Sequence, residues 1–390
     1  MKKGLLLFSG AVETLEFFSA QLAMLYKKDG YDIFTYRIDK EKEDFEALRS
    51  FLSFHETLLV TFNYIGMSGE EFLQEGRDNV FSLFPVRKKV ILVDHPIYYH
   101  DQLTITKEET EVYCVDEDHV DYIKTYYSQI KNVRFLPLAG TELATKHKTI
   151  KERTIPLLFA GNYVRKERLL SYLTGLNQDY KDFYYSIVED LKKNPEQSIQ
   201  FVMENSLLSL FPNASKKELA AAMHGMLFVD LYIRSYFRAK VVKTIADAKI
   251  PIYVIGKDWQ YLNVEHPEYI HMLGNGYENT EFCLRHMEET KLSLNVMPWF
   301  KRGFHDRIPS SMLQKAVSIT DSSDYISNNF IDKEDLLLYS LKEIEKIPDL
   351  IHRVLKDEEY LQNMAEQSYK KAKKKHTWQQ RYEKIQNTTS

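Results

Sequence analysis

At 390 residues the chain is too long for one ordinary domain and comfortable for two, each able to bury a core of its own. With 44% hydrophobic and 28% charged residues and a formal net charge of -4, it reads as a globular protein, and the charge recommends no nucleic-acid partner. Cys114 and Cys283 lie far apart in apolar surroundings and read as buried small hydrophobes in a reducing compartment, not a disulfide. The opening apolar run stops at Ser9-Gly10, as a first strand does. No window approaches the roughly 18 apolar residues of a membrane span, and the best candidate, 219–233, holds His224 and Asp230. A cytoplasmic chain is therefore expected.

Strand-like and helix-like patterns alternate through the first half. Strands are predicted over 4–8, 32–36, 57–62, 89–93, 111–115 and 133–136, and helices over 13–28, 43–54 and 117–127. Ser68 with Glu71 has the spacing of a capping box and predicts a further helix there. Buried strands alternating with helices imply a parallel, doubly wound sheet, whose ligands bind at the carboxyl ends of its strands. Gly10, Asn63 and His95 stand at three such ends. His95, beside Pro96 and two tyrosines, has a usable near-neutral pKa and reads either as a base or as a hydrogen-bonded residue that shapes its loop.

The polar, lysine-rich stretch 140–153 breaks the pattern and reads as an interdomain connector, giving a first domain over 1–145. A second series starts with a strand at 155–160, which runs into Gly161-Asn162-Tyr163 with Arg165 and Lys166 close behind. A strand entering glycine and then a basic helix start suits phosphate. Residues 169–244 are helical almost throughout, divided by Pro195 and Pro212, and read as an insertion serving as a lid or a dimer surface. Within it Asn213-Ala-Ser215 matches a glycosylation sequon, but Ser215 with Glu218 is better read as a capping box. Strands at 251–255 and 269–273 lead into Gly256-Lys257-Asp258-Trp259 and Gly274–Tyr277, and a helix follows at 281–289. Trp259 and Tyr277 are read either as base-stacking rings or as ordinary packing.

The stretch 291–325, KLSLNVMPWFKRGFHDRIPSSMLQKAVSITDSSDY, is the densest in polar residues at strand ends. An apolar strand over 291–296 is stopped by Pro298, Gly303 permits a tight turn, 304–315 predicts a helix, and 316–320 a second strand ending at Asp321. His305 and Arg307 fall in the predicted first helical turn, where bare N–H groups and the helix dipole favour an anion. An arginine at a helix start is also a common solvated or ion-paired group, so the string around it decides.

That string, GFHDR followed by an apolar helix and a strand ending in Thr-Asp, resembles the donor-site motif of the spore-maturation-protein-like (CgeB-type) glycosyltransferases. These belong to the two-Rossmann-domain group called GT-B, and the resemblance runs from about residue 157 to 325. It implies an acceptor-side domain over 1–145, a nucleotide-sugar donor domain over 154–340, and C-terminal helices over 341–390 that pack back across the domains. Residues 376–381, HTWQQR, resemble the closing element. It implies a nucleotide-diphosphate sugar as co-substrate and a glycan, protein or cell-surface precursor as acceptor. No cofactor and no metal are implied, because basic residues and helix dipoles can neutralise the leaving diphosphate. Arg307, with Arg165 or Lys166, would carry the diphosphate. Gly161, Asn162, Lys257, Trp259, Tyr277, Asn295, Gly303, Asp306 and Ser310 would complete the donor site. His305, Asp321 and His95 would be the catalytic groups, and Gly10 and Asn63 would face the acceptor.

Two positions depart from the group. Ser310 stands where many members have a ribose-holding glutamate, and Lys315 where they have a turn glycine. A second class therefore stays open, a catalytically weak relative that binds a nucleotide or assembles through its insertion. The Lys370–Lys375 run reads as a solvated helix face or as an attraction to an anionic membrane surface. H-E-x-x-H, paired C-x-x-C, G-x-S-x-G and G-x-x-x-x-G-K-[ST] are absent from the sequence, and no G-x-G-x-x-G follows Phe8, which sets aside the motif-bearing zinc proteases, lipases, P-loop enzymes and dinucleotide dehydrogenases.

Overall fold

The computed structural model describes residues 2–75, 78–143 and 146–387. The chain divides into two compact units, Met1–Pro137 with Trp378–Ser390, and Leu138–Thr377. In the first unit the chain runs β1 (Lys2–Ser9), α1 (Glu13–Lys28), β2 (Asp32–Arg37), α2 (Phe45–Phe54) and β3 (His55–Phe62). A short hairpin follows, β4 (Gln74–Glu75) with β5 (Asp78–Asn79), and then β6 (Val86–Leu92), α3 (His100–Ile105), β7 (Glu111–Cys114), α4 (Glu117–Tyr126) and β8 (Asn132–Phe135). Its six parallel strands lie in the order β2-β1-β3-β6-β7-β8. Leu5, Leu6, Leu58, Leu59, Val90 and Leu92 are essentially inaccessible, as apolar strands covered by helices on both faces must be.

The second unit has β9 (Ile155–Ala160), then α5 (Lys166–Leu170), α6 (Gln178–Lys193), α7 (Ile199–Leu210), α8 (Lys216–Gly225) and α9 (Leu227–Asp247). After them come β10 (Ile252–Ile255), β11 (Ile270–Met272), α10 (Thr280–Glu288), β12 (Thr290–Asn295), α11 (Arg307–Leu313), β13 (Val317–Asp321), α12 (Asp324–Asn329) and β14 (Leu337–Tyr339). It closes with α13 (Ile347–Val354) and α14 (Glu358–Lys375). The sheet order β11-β10-β9-β12-β13-β14 is the doubly wound order, and it reverses between β9 and β12. Where such a fold carries one helix between its first two strands, this chain carries five. The last helix, α15 (Trp378–Gln386), belongs to the first unit. There Trp378 packs on Phe18 at 4.9 Å and Phe62 at 6.2 Å, and Lys89 Nζ donates to the Ile385 carbonyl at 3.1 Å.

Several local expectations give way to competing physics. Ser68 starts no α-helix: Glu70 takes the N–H groups of Gly66 and Ser68 at 2.8 Å each, and only a three-residue turn follows, over Glu71–Leu73. Gly66 and Gly69 sit at φ 77° and 90°, a left-handed backbone that no helix continues. The described residues of the polar stretch 140–153 are built into the second unit instead of hanging between two. Arg153 is buried there, donating to the carbonyls of Thr290 at 2.8 Å and Gln314 at 2.9 Å. Of the C-terminal helices, α13 and α14 stay with the second unit. The predicted helix over 304–315 forms only as Arg307–Leu313, so His305 precedes it and Arg307 is its first residue. Its end is marked by Lys315, at φ 55° in the left-handed region, with its ammonium 2.8 Å from the Glu366 carboxylate. The turn after the helix is thus made by a lysine held from outside. Ser215 and Glu218 do form a reciprocal capping box. Neither cysteine is in a disulfide; Cys114 is buried and Cys283 half-buried.

Candidate functional site

In the second unit, the carboxyl ends of β9 and β12 flank the reversal point of the sheet. Asn295 ends β12 fully buried, its amide donating to Thr320 Oγ1 at 3.0 Å, while its carbonyl accepts the Tyr339 hydroxyl at 2.6 Å. Its remaining oxygen, Oδ1, receives Arg307 Nη1 at 3.2 Å. The Arg307 guanidinium stands 5.7 Å over the Phe159 ring, and a Cβ on Gly161 would come within 3.0 Å of Nη2. Burial lowers the guanidinium's pKa and the Asp306 carboxylate opposes it, which leaves the group a cation at any physiological pH.

His305 lies against Asp306, Nδ1 to Oδ1 at 2.5 Å. Its pKa falls to about 4, chiefly through burial and also through Arg307 and Arg238, against the pull of Asp306. At neutral pH the ring is therefore uncharged. Its Nδ1 meets both that carboxylate and the Arg307 backbone N–H, which donates to it at 3.3 Å, and a neutral ring carries one donor and one acceptor nitrogen. The N–H groups of the first helical turn are also engaged: Ile308 N donates to the His305 carbonyl at 3.1 Å and Ser310 N to the Asp306 carbonyl at 2.9 Å.

The loop after β9 is locked to the loop after β10. Gly161 N donates to the Ile255 carbonyl at 2.8 Å, Lys257 N to Asn162 Oδ1 at 2.9 Å, and Tyr163 N to the Lys257 carbonyl at 3.1 Å. Gly256, at φ 136°, lets the two backbones touch, since a Cβ there would meet Gly161 O at 2.5 Å. Trp259 is 1% exposed and spends its indole N–H on the Gly161 carbonyl at 2.8 Å. It holds the loop and has no face left for a base. Tyr277 is 79% exposed, with Lys257 Nζ 3.9 Å above its ring. Arg165 turns to Asp258 at 3.7 Å and lies 4.4 Å over Tyr261, and Lys166, the first residue of α5, is exposed.

Asp321 ends β13 buried, accepting Met297 N–H at 2.8 Å, and so pins the loop that leaves β12. Burial pushes its pKa up to about 6. It lines a polar cavity of about 420 Å³ with Lys301, Ser322 and Ser340. Gly303 gives its carbonyl to Ser323 Oγ at 2.6 Å. Ser310 is buried in α11, where a Cβ on Gly140 would come within 2.6 Å of its backbone nitrogen.

In the first unit, Gly10 at φ 83° and Asn63 at φ 53° stand at the ends of β1 and β3, where that sheet reverses its order. Asn63 fastens the neighbouring strand end, accepting Val93 N–H at 2.9 Å and donating to Asp94 at 3.1 Å. His95 is buried, accepts Ile97 N–H on Nδ1 at 3.1 Å and packs edge-on against His119 and Tyr122. Its Nδ1 thereby caps the short turn that follows, over Pro96–Tyr99.

The sequence reading passed over Arg234 and Arg238 on α9. Their guanidinium groups lie 4.5 and 4.8 Å over the ring of Trp299, four residues beyond β12, and Arg238 Nη1 approaches the Asn162 carbonyl at 3.4 Å. The i, i+4 spacing of the two arginines was the available signal. Among the described residues, no group of three or more His, Cys, Asp and Glu side chains is gathered as a metal ligand set.

Residues 234–387, under half of the chain, match the family described as glycosyl transferase-like. Sucrose-phosphate synthase from Thermosynechococcus elongatus has a similar fold, with a TM-score of 0.52, 11% identity, and coverage of 100% of this chain and 98% of that one. A glycosyltransferase from Rickettsia africae gives a TM-score of 0.52 at 9% identity, covering 99% and 97%. The Anabaena protein HepE, in complex with UDP-glucose, gives 0.51 at 8% identity, covering 100% and 99%. No curated protein matches by sequence. The two Rossmann-like halves thus have the GT-B fold. Among the described residues no helix is long and apolar enough to cross a membrane.

Proposed function

We propose that the protein is a nucleotide-sugar-dependent glycosyltransferase of the EC 2.4 class, of the spore-maturation-protein-like (CgeB-type) kind, acting on a glycan, protein or cell-surface precursor. The observation that carries this reading is Arg307, fixed by Asn295 at the reversal point of the second sheet and facing a glycine that leaves room beside it. An open α/β sheet takes its ligands at that crevice, and a guanidinium fork there fits a phosphate.

In the reaction an acceptor hydroxyl attacks the anomeric carbon, the bond from that carbon to the diphosphate oxygen breaks, the departing diphosphate takes the electron pair and negative charge gathers on it, and the hydroxyl's proton passes to that diphosphate or to solvent. Arg307 would stabilise that charge without reorganising, because Asn295 and the Phe159 ring already hold it in place. Neutral His305 would contact phosphate or the sugar through a hydrogen bond of its imidazole. Asp321 would act through the loop it pins. With guanidinium groups to balance the diphosphate, no metal is required in this scheme. UDP is the first nucleotide to try, given the UDP-glucose complex of the structurally similar HepE. A cytoplasmic location and pairing of two copies through the helical insertion belong to the same proposal.

Thermal denaturation with UDP, GDP, ADP and their sugars tests it. A ligand at 100 times its Kd adds about 2.7 kcal/mol to stability, and the absence of a shift with every nucleotide would count against the donor site. A second reading, a nucleotide-binding protein with little catalysis, draws support from Ser310, which offers a buried hydroxyl where relatives offer a carboxylate. Hydrolysis of the bound sugar nucleotide by purified protein separates the two.

A further inference from the structure

The chain's sequence puts Arg165 and Lys166 where a diphosphate-binding pair is expected, just after the first strand of the donor unit. The structure turns Arg165 elsewhere. Asp258 holds it at 3.7 Å and also binds Arg168 at 3.3 Å, while Tyr261 covers the Arg165 guanidinium at 4.4 Å. The loop keeps its shape, yet its own arginine points to a carboxylate and an aromatic ring.

A different cation reaches that loop from the far end of the insertion. Helix α9 is anchored beside it by Ser235, 5% exposed, whose hydroxyl donates to the Val164 carbonyl at 2.7 Å. One turn further along, Arg238 extends over Trp299 and brings Nη1 to 3.4 Å from the Asn162 carbonyl. Arg234, one turn before, lies on the same indole and is held by Asp230, 2% exposed, at 2.8 Å. Trp299 belongs to the loop leaving β12, so its ring ties both guanidinium groups to the strand end that positions Arg307. His305 packs edge-on against the same indole at 6.0 Å, and Arg307 follows it by two residues.

We propose that Arg238, stacked on Trp299, is the second cation for the diphosphate of the donor and replaces Arg165 and Lys166 in that task. The ligand class is a nucleoside diphosphate or its sugar. The five-helix excursion between β9 and β10 then has a function in the site: it returns an arginine to the crevice that the short loop would otherwise supply. Substrate specificity follows as well, because a cation carried on a long helix is set at a fixed height above the sheet, whereas one on a loop can adjust.

This inference rests on the donor-site reading above, and calorimetry on the full chain distinguishes their failures. UDP, GDP and ADP are titrated into wild type, and the nucleotide that binds is then compared with its nucleoside across variants. Arg238→Ala should weaken diphosphate binding about tenfold or more and leave nucleoside binding unchanged. Arg238→Met, which keeps an apolar stem on Trp299, should do the same, and Arg238→Lys should fall between. The Arg165→Ala/Lys166→Ala double variant should lose less than about threefold, as exposed ion-paired groups do. Binding by Arg238→Ala and Arg238→Met equal to wild type, or a larger loss in the double variant, overturns the inference and leaves the donor site standing. Wild type that binds none of the three diphosphates overturns both.

Discussion

Arg307 is the residue on which most depends, and its neighbours make the expectation specific. Asn295 Oδ1 orients the guanidinium through one nitrogen and leaves the rest of the fork toward Gly161. Arg307→Lys should therefore weaken nucleoside-diphosphate binding although the charge is kept, and Arg307→Ala should weaken it further, by about 1.5–3 kcal/mol. Calorimetry with the bare nucleoside should show no change in either variant. Asp321 makes a prediction of a different kind. Its folded pKa of about 6 lies above the ordinary carboxylate value, so between about pH 4 and 6 the native state keeps a proton that the unfolded chain has released. Its contribution to stability is whole below that window, falls as pH rises through it, and is lost above it. Asp321→Asn, which still accepts the Met297 N–H, should remove this fall and gain about 2–3 kcal/mol on wild type between pH 4 and 7. Urea unfolding at several pH values measures it. His305, at about 4, has the opposite sign, and stability rises with pH from about 4 to 6.5. At this scale the sequence revealed Asn295, Asp306 and Arg307 because a strand, a break and a helix start announce themselves. Trp259 was left between base stacking and packing, since a pattern cannot show that an indole N–H is already bonded to Gly161. Arg238 stayed hidden because the i, i+4 line of Asp230, Arg234 and Arg238 on α9 reads as an ion-paired helix face, and the sequence does not show that it meets Trp299.

Among the elements, the insertion and the loops at the sheet edge behave differently. The helices of the insertion were legible from periodicity and punctuation, and the Ser215–Glu218 box is formed as its spacing implied. Ser215→Ala should cost about 0.5–2 kcal/mol, read as a lowered urea midpoint with an unchanged slope. Helix α11 was legible only in part. Its seven residues are fewer than its apolar pattern suggested, because residues 304 and 305 are not helical and His305 meets Asp306 before the helix begins. The segment after Ser68 failed for a related reason, with left-handed glycines outweighing a capping signal. Close approach of two loops gives a sharper test. Gly256→Ala would put a methyl 2.5 Å from the Gly161 carbonyl at φ 136°, so it should destabilise the second unit by more than about 1 kcal/mol and weaken diphosphate binding with it. Thermal unfolding and calorimetry on the same variant report both effects.

For the whole molecule, two doubly wound sheets were legible because buried parallel strands are written as short apolar runs between helices. What the pattern could not convey was which unit owns each terminal segment. Residues 140–153 look like a tether by composition, yet Arg153 is buried among carbonyls of the second unit. Helix α15 looks like the end of a helical tail, yet it serves the first unit, where Arg381 Nε donates to the Pro137 carbonyl at 2.5 Å and Tyr382 bonds Asp29. Removal of residues 378–390 should destabilise the first unit and leave the second folded. Limited proteolysis of the truncated protein should then cut first within 1–137.

The same helix sets a timetable for the ribosome. Phe18 and Phe62 are made early, but Trp378, which covers them, emerges only after the whole of Leu138–Thr377 has been synthesised. At about 5–20 residues per second that interval is roughly 10–50 s. Through it the nascent first unit presents an uncovered aromatic face, and hydrophobic surface exposed for that long is what holding chaperones recognise. The half of the chain made first is therefore the half finished last.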